Sequence, residues 1–484
     1  MESLPPVISH SWFALLIAWL VLLTGAAATG ASEIVIDAAK EEMPALRPLH
    51  GVNGGPLEDQ GLIDLSTYFR EMRVPLVRLH DCHWPNPDVV DIHAIFPNPD
   101  ADPARPESYD FVRTDAYVKS ILDTGAKIVY RLGESIEHGP DKRRSRPPAD
   151  PDRWAQVCTG IIRHYNRGWA GGFKYGIDQW EIWNEPDNRP NCWSGSDDEY
   201  LRLYVAAARA IKHEFPDVQV GGPAIGNAGT IDHGQFKPTP FSIAFLERCR
   251  RGRAPLDFFS WHWYGNWADA LVIRARGVRR MLDDHAFAKT QSHLNEWNYL
   301  PDDDWRPMLA NGQGAARQRF YDRIGGVEGA VFSAGVLMHL QDLPVDAATY
   351  FSGNTQGFGL FSPAGVPKKT FYAFKAFAGL AEAPVRLAAT CDDPSLTCCA
   401  ARSRDGTEVR LLIACSRADD RPVQLTIRNV NWPAGASYAQ SSVDSTHDLA
   451  QTRSGRLSPG QLSLPVEFKG PGVILITFVP GATK

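Results

Sequence analysis

Between about residues 49 and 380 the chain alternates short apolar runs with amphipathic stretches, and it does so eight times. Strand-like runs fall at 50–53, 76–80, 127–132, 179–183, 218–222, 258–264, 292–297 and 330–338. Helix-like stretches follow at 62–72, 109–124, 151–167, 197–214, 240–250, 268–284, 314–328 and 369–380. Strands separated by helices pair in parallel through βαβ crossovers, and eight such units predict an α/β fold of the closed (β/α)8 TIM-barrel type. A doubly wound open sheet is the structural alternative. It calls for a glycine-rich phosphate loop after the first strand, and Gly51-Val52-Asn53-Gly54-Gly55-Pro56 is not one.

The pattern changes after residue 380. Alternating β runs at 409–414, 423–427, 461–464 and 473–479 are separated by Gly, Pro, Asp and Ser, which predicts a C-terminal β-sandwich over 381–484. The barrel then occupies 49–380, and residues 32–48 precede it as a segment able to pair with the sandwich. Residues 1–31 hold the apolar run 12–23 (WFALLIAWLVLL), followed by Thr24-Gly25-Ala26-Ala27-Ala28. That is the form of a signal peptide cut near Ala28 or Ala31, although no Lys or Arg precedes it. A secreted or periplasmic protein is expected, with an N-terminal membrane anchor as the alternative if the segment stays uncleaved.

Composition narrows the partners. With 50 Lys+Arg against 56 Asp+Glu the net charge is −6, so no basic excess exists to release phosphate counterions and no nucleic-acid partner is expected. Hydrophobic residues at 44% exclude a largely disordered chain. The 8 cysteines include no C-x-x-C pair, so a zinc ribbon is unsupported. Cys391, Cys398 and Cys399 flank a loop where an exported chain could form a small disulfide. Asp91, His93, Asp100 and Asp102 in the long insertion 81–108 read as a solvated loop rather than a cation site. No cofactor or metal is expected, and the oligomeric state is open.

In such a barrel the reacting groups stand at the C-terminal ends of the strands. Those positions carry Asn53, Arg78, His80, Asn184, Glu185, His262, Tyr264 and Glu296. Glu185 ends the fourth strand in Trp183-Asn184-Glu185-Pro186, and Glu296 ends the seventh in Asn295-Glu296-Trp297-Asn298. Glycosidic cleavage needs two facing carboxyls, one protonated to release the leaving oxygen and one ionised to meet the anomeric carbon. Each charge raises the other's pKa, as does an apolar tryptophan setting. Trp84, Trp193, Trp267, Trp297 and Trp305 near strand ends offer flat faces for sugar rings.

These segments resemble glycoside hydrolase family 39, a group of retaining (β/α)8 glycosidases of the β-xylosidase and iduronidase type. The likeness rests on Val77-Arg78-Leu79-His80, on Trp180 to Pro186, on Phe258 to Tyr264 and on Leu294 to Asn298. Gly357-Phe358-Gly359-Leu360-Phe361 and Gly365-Val366-Pro367-Lys368-Lys369 extend it. By that resemblance Glu185 is the general acid/base, Glu296 the nucleophile, and Asn184 the partner of the sugar 2-hydroxyl. Tyr264 would orient Glu296, with Arg78, His80 and His262 lining the sugar subsite and Trp297 beside it.

Two departures bear on the sugar. Asn295 stands where the family's xylosidases carry Thr. The expected end of strand eight, Leu337 to Asp342, has no tryptophan platform and offers His339 in its place. The expected activity is exo-cleavage of pentosyl residues, β-xylosides or arabinosides, from oligosaccharides or polysaccharides. An acidic sugar is the variant for which Arg131, Arg189 and His138 are basic candidates. The alternatives are an endo-acting or disaccharide-releasing hydrolase of an exopolysaccharide and a catalytically silent carbohydrate-binding barrel. No strand end carries a Schiff-base Lys.

Overall fold

The computed structural model describes residues 32–481 except 43, 59–60, 83–87, 267, 310–311, 421 and 461. The apolar segment 12–23, Trp84 and Trp267 therefore lie outside the described residues. Among those described, no helix is long and apolar enough to cross a membrane.

Eight parallel strands close into a barrel: Gly51–Asn53, Leu76–Leu79, Lys127–Leu132, Gln179–Ile182, Gln219–Ile225, Phe258–Gly265, Gln291–Tyr299 and Ala347–Tyr350. Closure comes where Thr349 and Tyr350 of the eighth pair with Gly51 and Val52 of the first. Helix starts follow local chemistry. Asp150 accepts from the amides of Asp152 and Arg153 to open Pro151–Arg167, and left-handed Gly168 ends it. Ser196 and Glu199 cap Asp197–Glu214 reciprocally.

The eighth unit departs from the sequence expectation. The run expected as a strand at 330–338 lies inside the helix Val327–His339, and the strand comes later, at Ala347–Tyr350. This helix packs against the barrel helix Lys369–Ala381 on one side and the strands Leu396–Arg402, Val409–Cys415 and Gly472–Pro480 on the other. Covered on both sides, it is apolar all round and shows no helical period, so its sequence cannot be told from a buried strand.

Apart from two short two-stranded ribbons, the remaining described strands form one nine-stranded sheet that encloses a second core around Ile34, Leu411, Ile413, Leu425 and Ile476. The N-terminal strand Ser32–Glu41 is part of it, antiparallel to Val385–Cys391 and parallel to Val423–Arg428. The main core runs through the barrel and includes Leu412, Ala414, Val443 and Val473 of the β domain, so the two units share apolar packing. All eight cysteines are free thiols. The disulfide expected near Cys391 is not formed; Cys391 Sγ donates instead to the carbonyl of Asp393 at 3.6 Å. Cys398 and Cys399 are neighbours on one strand and face opposite ways.

Candidate active site

Arg78 organises the C-terminal end of the barrel. It is fully buried on the second strand and reaches side chains from the first, fourth and seventh. Its Nε donates to Glu181 at 2.6 Å, Nη1 to Asn53 at 3.1 Å and to Glu296 at 3.2 Å, and Nη2 to Asn184 at 2.7 Å. A buried guanidinium requires such partners, and its planar fork fixes their directions. Asn295 donates to the second oxygen of Glu181 and Tyr264 donates to Glu296 Oε1 at 2.6 Å.

Glu185 sits on the turn after the fourth strand. Its φ is 43° and that of Trp183 is 74°, left-handed values that L side chains rarely adopt. The turn is held by bonds from the Trp183 amide to Leu132 O at 2.7 Å and from the Glu185 amide to Ala224 O at 2.9 Å. The side chain lies close to Gly226, where a Cβ would stand 2.9 Å from Glu185 Oε1. Asn188 Nδ2 donates to Glu185 Oε2 at 2.8 Å, and Cys192 Sγ lies 3.7 Å from the same oxygen.

His262 joins the two glutamates. Its Nδ1 is 2.9 Å from Glu185 Oε1 and 3.6 Å from Glu296 Oε2, and all three groups offer atoms within 4.8 Å of one another. Burial pushes Glu296 above the usual carboxylate range, Glu185's negative charge adds to this, and His262, Arg78 and the Tyr264 bond oppose it. Burial also pushes Glu185 upward, but the His262 and Asn188 bonds outweigh it and leave Glu185 low. Burial would deprotonate His262, yet the charges of Glu296 and Glu185 hold its pKa up. Glu296 and His262 thus hold a proton more readily than free groups do, and Glu185 less readily.

A paired-carboxyl site on a closed barrel is one observation; the match of the sequence to a family is another. The model of glycosyl hydrolases family 39 matches residues 76–417. The chain belongs to glycosyl hydrolases family 39. The family 39 chain is 26% identical over 310 residues to a β-xylosidase of Geobacillus stearothermophilus, covering 57% of each chain. It is 24% identical over 344 residues to a β-xylosidase of Caldicellulosiruptor saccharolyticus, covering 63% of this chain and 64% of that one. It thus spans less than two thirds of the length of these curated relatives. Among solved structures, a glucosidase from Croceicoccus marinus superposes with a TM-score of 0.77 at 25% identity, covering 93% of this chain and 99% of the other. A monomeric β-xylosidase from Caulobacter crescentus CB15 shares the fold, with a TM-score of 0.70 at 18% identity, covering 93% and 100%.

Of the residues singled out from sequence, this family 39 site brings together Arg78, Asn184, Glu185, His262, Tyr264 and Glu296. His80 joins them, its Nε2 lying 3.9 Å from Glu296 Oε2. Two do not join. Trp297 is fully buried on the outer face of the seventh strand, against Tyr350 and Phe374. It follows inward-facing Glu296 directly, and neighbours on a strand point to opposite faces. His339 ends the helix Val327–His339 and lines a groove of about 690 Å³ between barrel and β domain, with Asp392 and Leu396. It is not the sugar platform.

The aromatic at the end of strand eight is Phe351, missed because that strand was placed too early. Its ring lies 6.2 Å from that of His80 and 6.1 Å from that of Phe358. Trp193 is a buried core residue packed edge-on against Trp183, whereas Trp305 is 43% exposed and packs on Tyr264 at the rim. The basic candidates are committed elsewhere or outward. Arg131 holds Asp91 at 2.6 Å and Ser135 at 3.1 Å, Arg189 pairs with Asp197, and His138 is exposed. Asp91 and His93 of the insertion converge with Glu134, which follows the third strand, but Arg131 already supplies Asp91 with a cation and Glu134 engages His93.

Proposed function

We propose that this family 39 protein is an exported retaining exo-glycosidase that removes pentosyl residues, β-xylosyl or arabinosyl, from polysaccharide-derived oligosaccharides. The observation that carries the reading is the approach of Glu185 and Glu296 to within 4.8 Å between their nearest oxygens. Retaining glycosidases place their carboxyls about 5–5.5 Å apart, whereas inverting ones leave about 6.5–9.5 Å for a water.

Glu296, fixed by Arg78 and Tyr264, attacks the anomeric carbon and forms a glycosyl ester as Glu185 gives its proton to the departing oxygen. Glu185 then takes a proton from water, which releases the sugar and restores Glu296. Asn184, held by Arg78 on its carbonyl side, leaves its amide free to meet the sugar's 2-hydroxyl. Bound substrate desolvates Glu185 further, and desolvation favours the protonated carboxyl that the acid step needs.

The apolar segment 12–23 supports export, and the curated relatives named β-xylosidases support the pentosyl glycon. The neighbouring structure named a glucosidase is why glucosides belong in the same test. The test is release of nitrophenol from β-xyloside, α- and β-arabinosides, glucosides, galactosides and uronides, with Glu185→Gln and Glu296→Gln alongside. Turnover of a pentoside that both variants lose is expected. Turnover of a pentoside unchanged in Glu296→Gln would contradict the assignment.

A further inference from the structure

A third carboxyl belongs to this pocket. Asp81 follows His80 in the left-handed conformation, with φ 48°, which folds its side chain back over the end of the second strand. Its side chain is 13% exposed, between Glu296 at 7% and Glu185 at 16%, so all three carboxyls are nearly buried to a similar degree. Among the described residues its partners are distant. Oδ2 lies 3.4 Å from His80 Nε2, and Oδ1 accepts from the Ile136 amide at 3.4 Å. Both contacts are at the limit of hydrogen bonding, which leaves a nearly buried carboxyl with most of its capacity unused. Buried polar groups this poorly served are normally completed by water or by a ligand.

The position indicates which ligand atoms are involved. His80 Nε2 stands between Asp81 and Glu296, 3.4 Å from one and 3.9 Å from the other. Asp81 is thus one side chain removed from Glu296. For a sugar whose anomeric carbon lies over Glu296, His80 and Asp81 are neighbouring polar groups that its ring hydroxyls can meet.

We infer that Asp81 is the glycon-reading residue of this site, taking the hydroxyls on C3 and C4 of a neutral sugar. This rests on the glycosidase reading given above. A uronic acid is disfavoured, because its carboxylate would enter a pocket already lined by three carboxyls. The groups facing Asp81 are Glu296 from the seventh strand, Arg131 from the third, Asp91 from the insertion and His80 beside it. Burial and the charge of Glu296 push Asp81 up to about 7, against the pull of Arg131. Below that pH it can both donate to one hydroxyl and accept from its neighbour; above it, only accept.

The experiment compares wild type, Asp81→Ala and Asp81→Asn on the nitrophenyl glycoside that the panel identifies and on its 3-deoxy and 4-deoxy analogues. Asp81→Ala is expected to lower kcat/KM for the parent by about 10- to 100-fold, mainly through KM, the range of a hydrogen bond to an ionisable group. On the analogue lacking the recognised hydroxyl the loss should shrink to about 3-fold or less. Asp81→Asn keeps the shape if the alanine variant fails to fold. Wild-type KM should rise as the pH passes upward through about 7, and this rise should vanish in Asp81→Asn. Equal losses on parent and both analogues, or an unchanged pH dependence in Asp81→Asn, would overturn the inference. A wild type inactive on every glycoside would instead overturn the glycosidase reading beneath it.

Discussion

His262 Nδ1 lies 2.9 Å from Glu185 Oε1, close enough to hold the carboxyl in its ionised form. The imidazole therefore works against the acid role of Glu185 in the empty site, and substrate has to release it. Replacing His262 with Asn removes the imidazole's bond and charge, leaving burial opposed only by the Asn188 bond and the Arg78 charge. The alkaline limb of kcat/KM, which reports the free enzyme's acid, should move to higher pH in His262→Asn. A limb that stays put or moves down would show that another group supplies the proton.

Tyr264 acts on the other carboxyl. Its 2.6 Å bond to Glu296 favours the ionised nucleophile. Tyr264→Phe should raise the acid limb of the kcat/KM profile and lower kcat by about 10-fold or more, as expected for loss of a charge-assisted hydrogen bond. A pH series on the phenylalanine variant reads both.

The Arg78 network couples function to stability. Arg78 is fully buried and satisfies Glu181 as well as Glu296. Arg78→Ala leaves Glu181 charged and buried, with an expected cost of about 3–5 kcal/mol in urea unfolding, besides the loss of activity. Arg78→Lys should recover part of the stability but little activity, because one ammonium cannot reproduce the fork to Glu181, Asn53, Glu296 and Asn184.

Two buried histidines contribute to the acid stability. His50 is buried and held near pKa 4, and His293, stacked on Phe258 at 4.3 Å, near 3; burial drives both down. The unfolded chain takes up these protons near pH 6.5, before the folded one does. Both contributions are therefore full above pH 6.5 and fade as the pH falls toward 4, with a difference of roughly 3 kcal/mol for His50 alone. Urea midpoints at pH 7.5 and 4.5 measure the slope, and His293→Phe should make it shallower.

Much of this was legible in the chain because barrel strands and their helices differ in period, and because Glu185 and Glu296 stand in compact, tryptophan-rich segments at strand ends. Legibility failed where burial erased the period. The helix Val327–His339 is enclosed by barrel and β domain, so it reads as a strand, and that reading drew attention to His339 when the aromatic at the end of strand eight is Phe351. Trp297 misled for a simpler reason, since the residue after an inward-facing glutamate on a strand must face outward. Asp81 gave no sequence signal: its place in the pocket depends on a left-handed turn and on its distance from His80, neither of which has a periodic signature.

The central claim is that Glu296 forms a covalent bond to the sugar. Incubation with a 2-deoxy-2-fluoro glycoside of the preferred sugar, carrying a dinitrophenyl leaving group, should trap that ester, because the fluorine slows its hydrolysis more than its formation. Mass spectrometry of the digested protein should then find one fluoroglycosyl group on the peptide containing Glu296, and Glu296→Gln should remain unlabelled. Labelling at another carboxyl, or turnover with inversion and no label at all, would contradict the account.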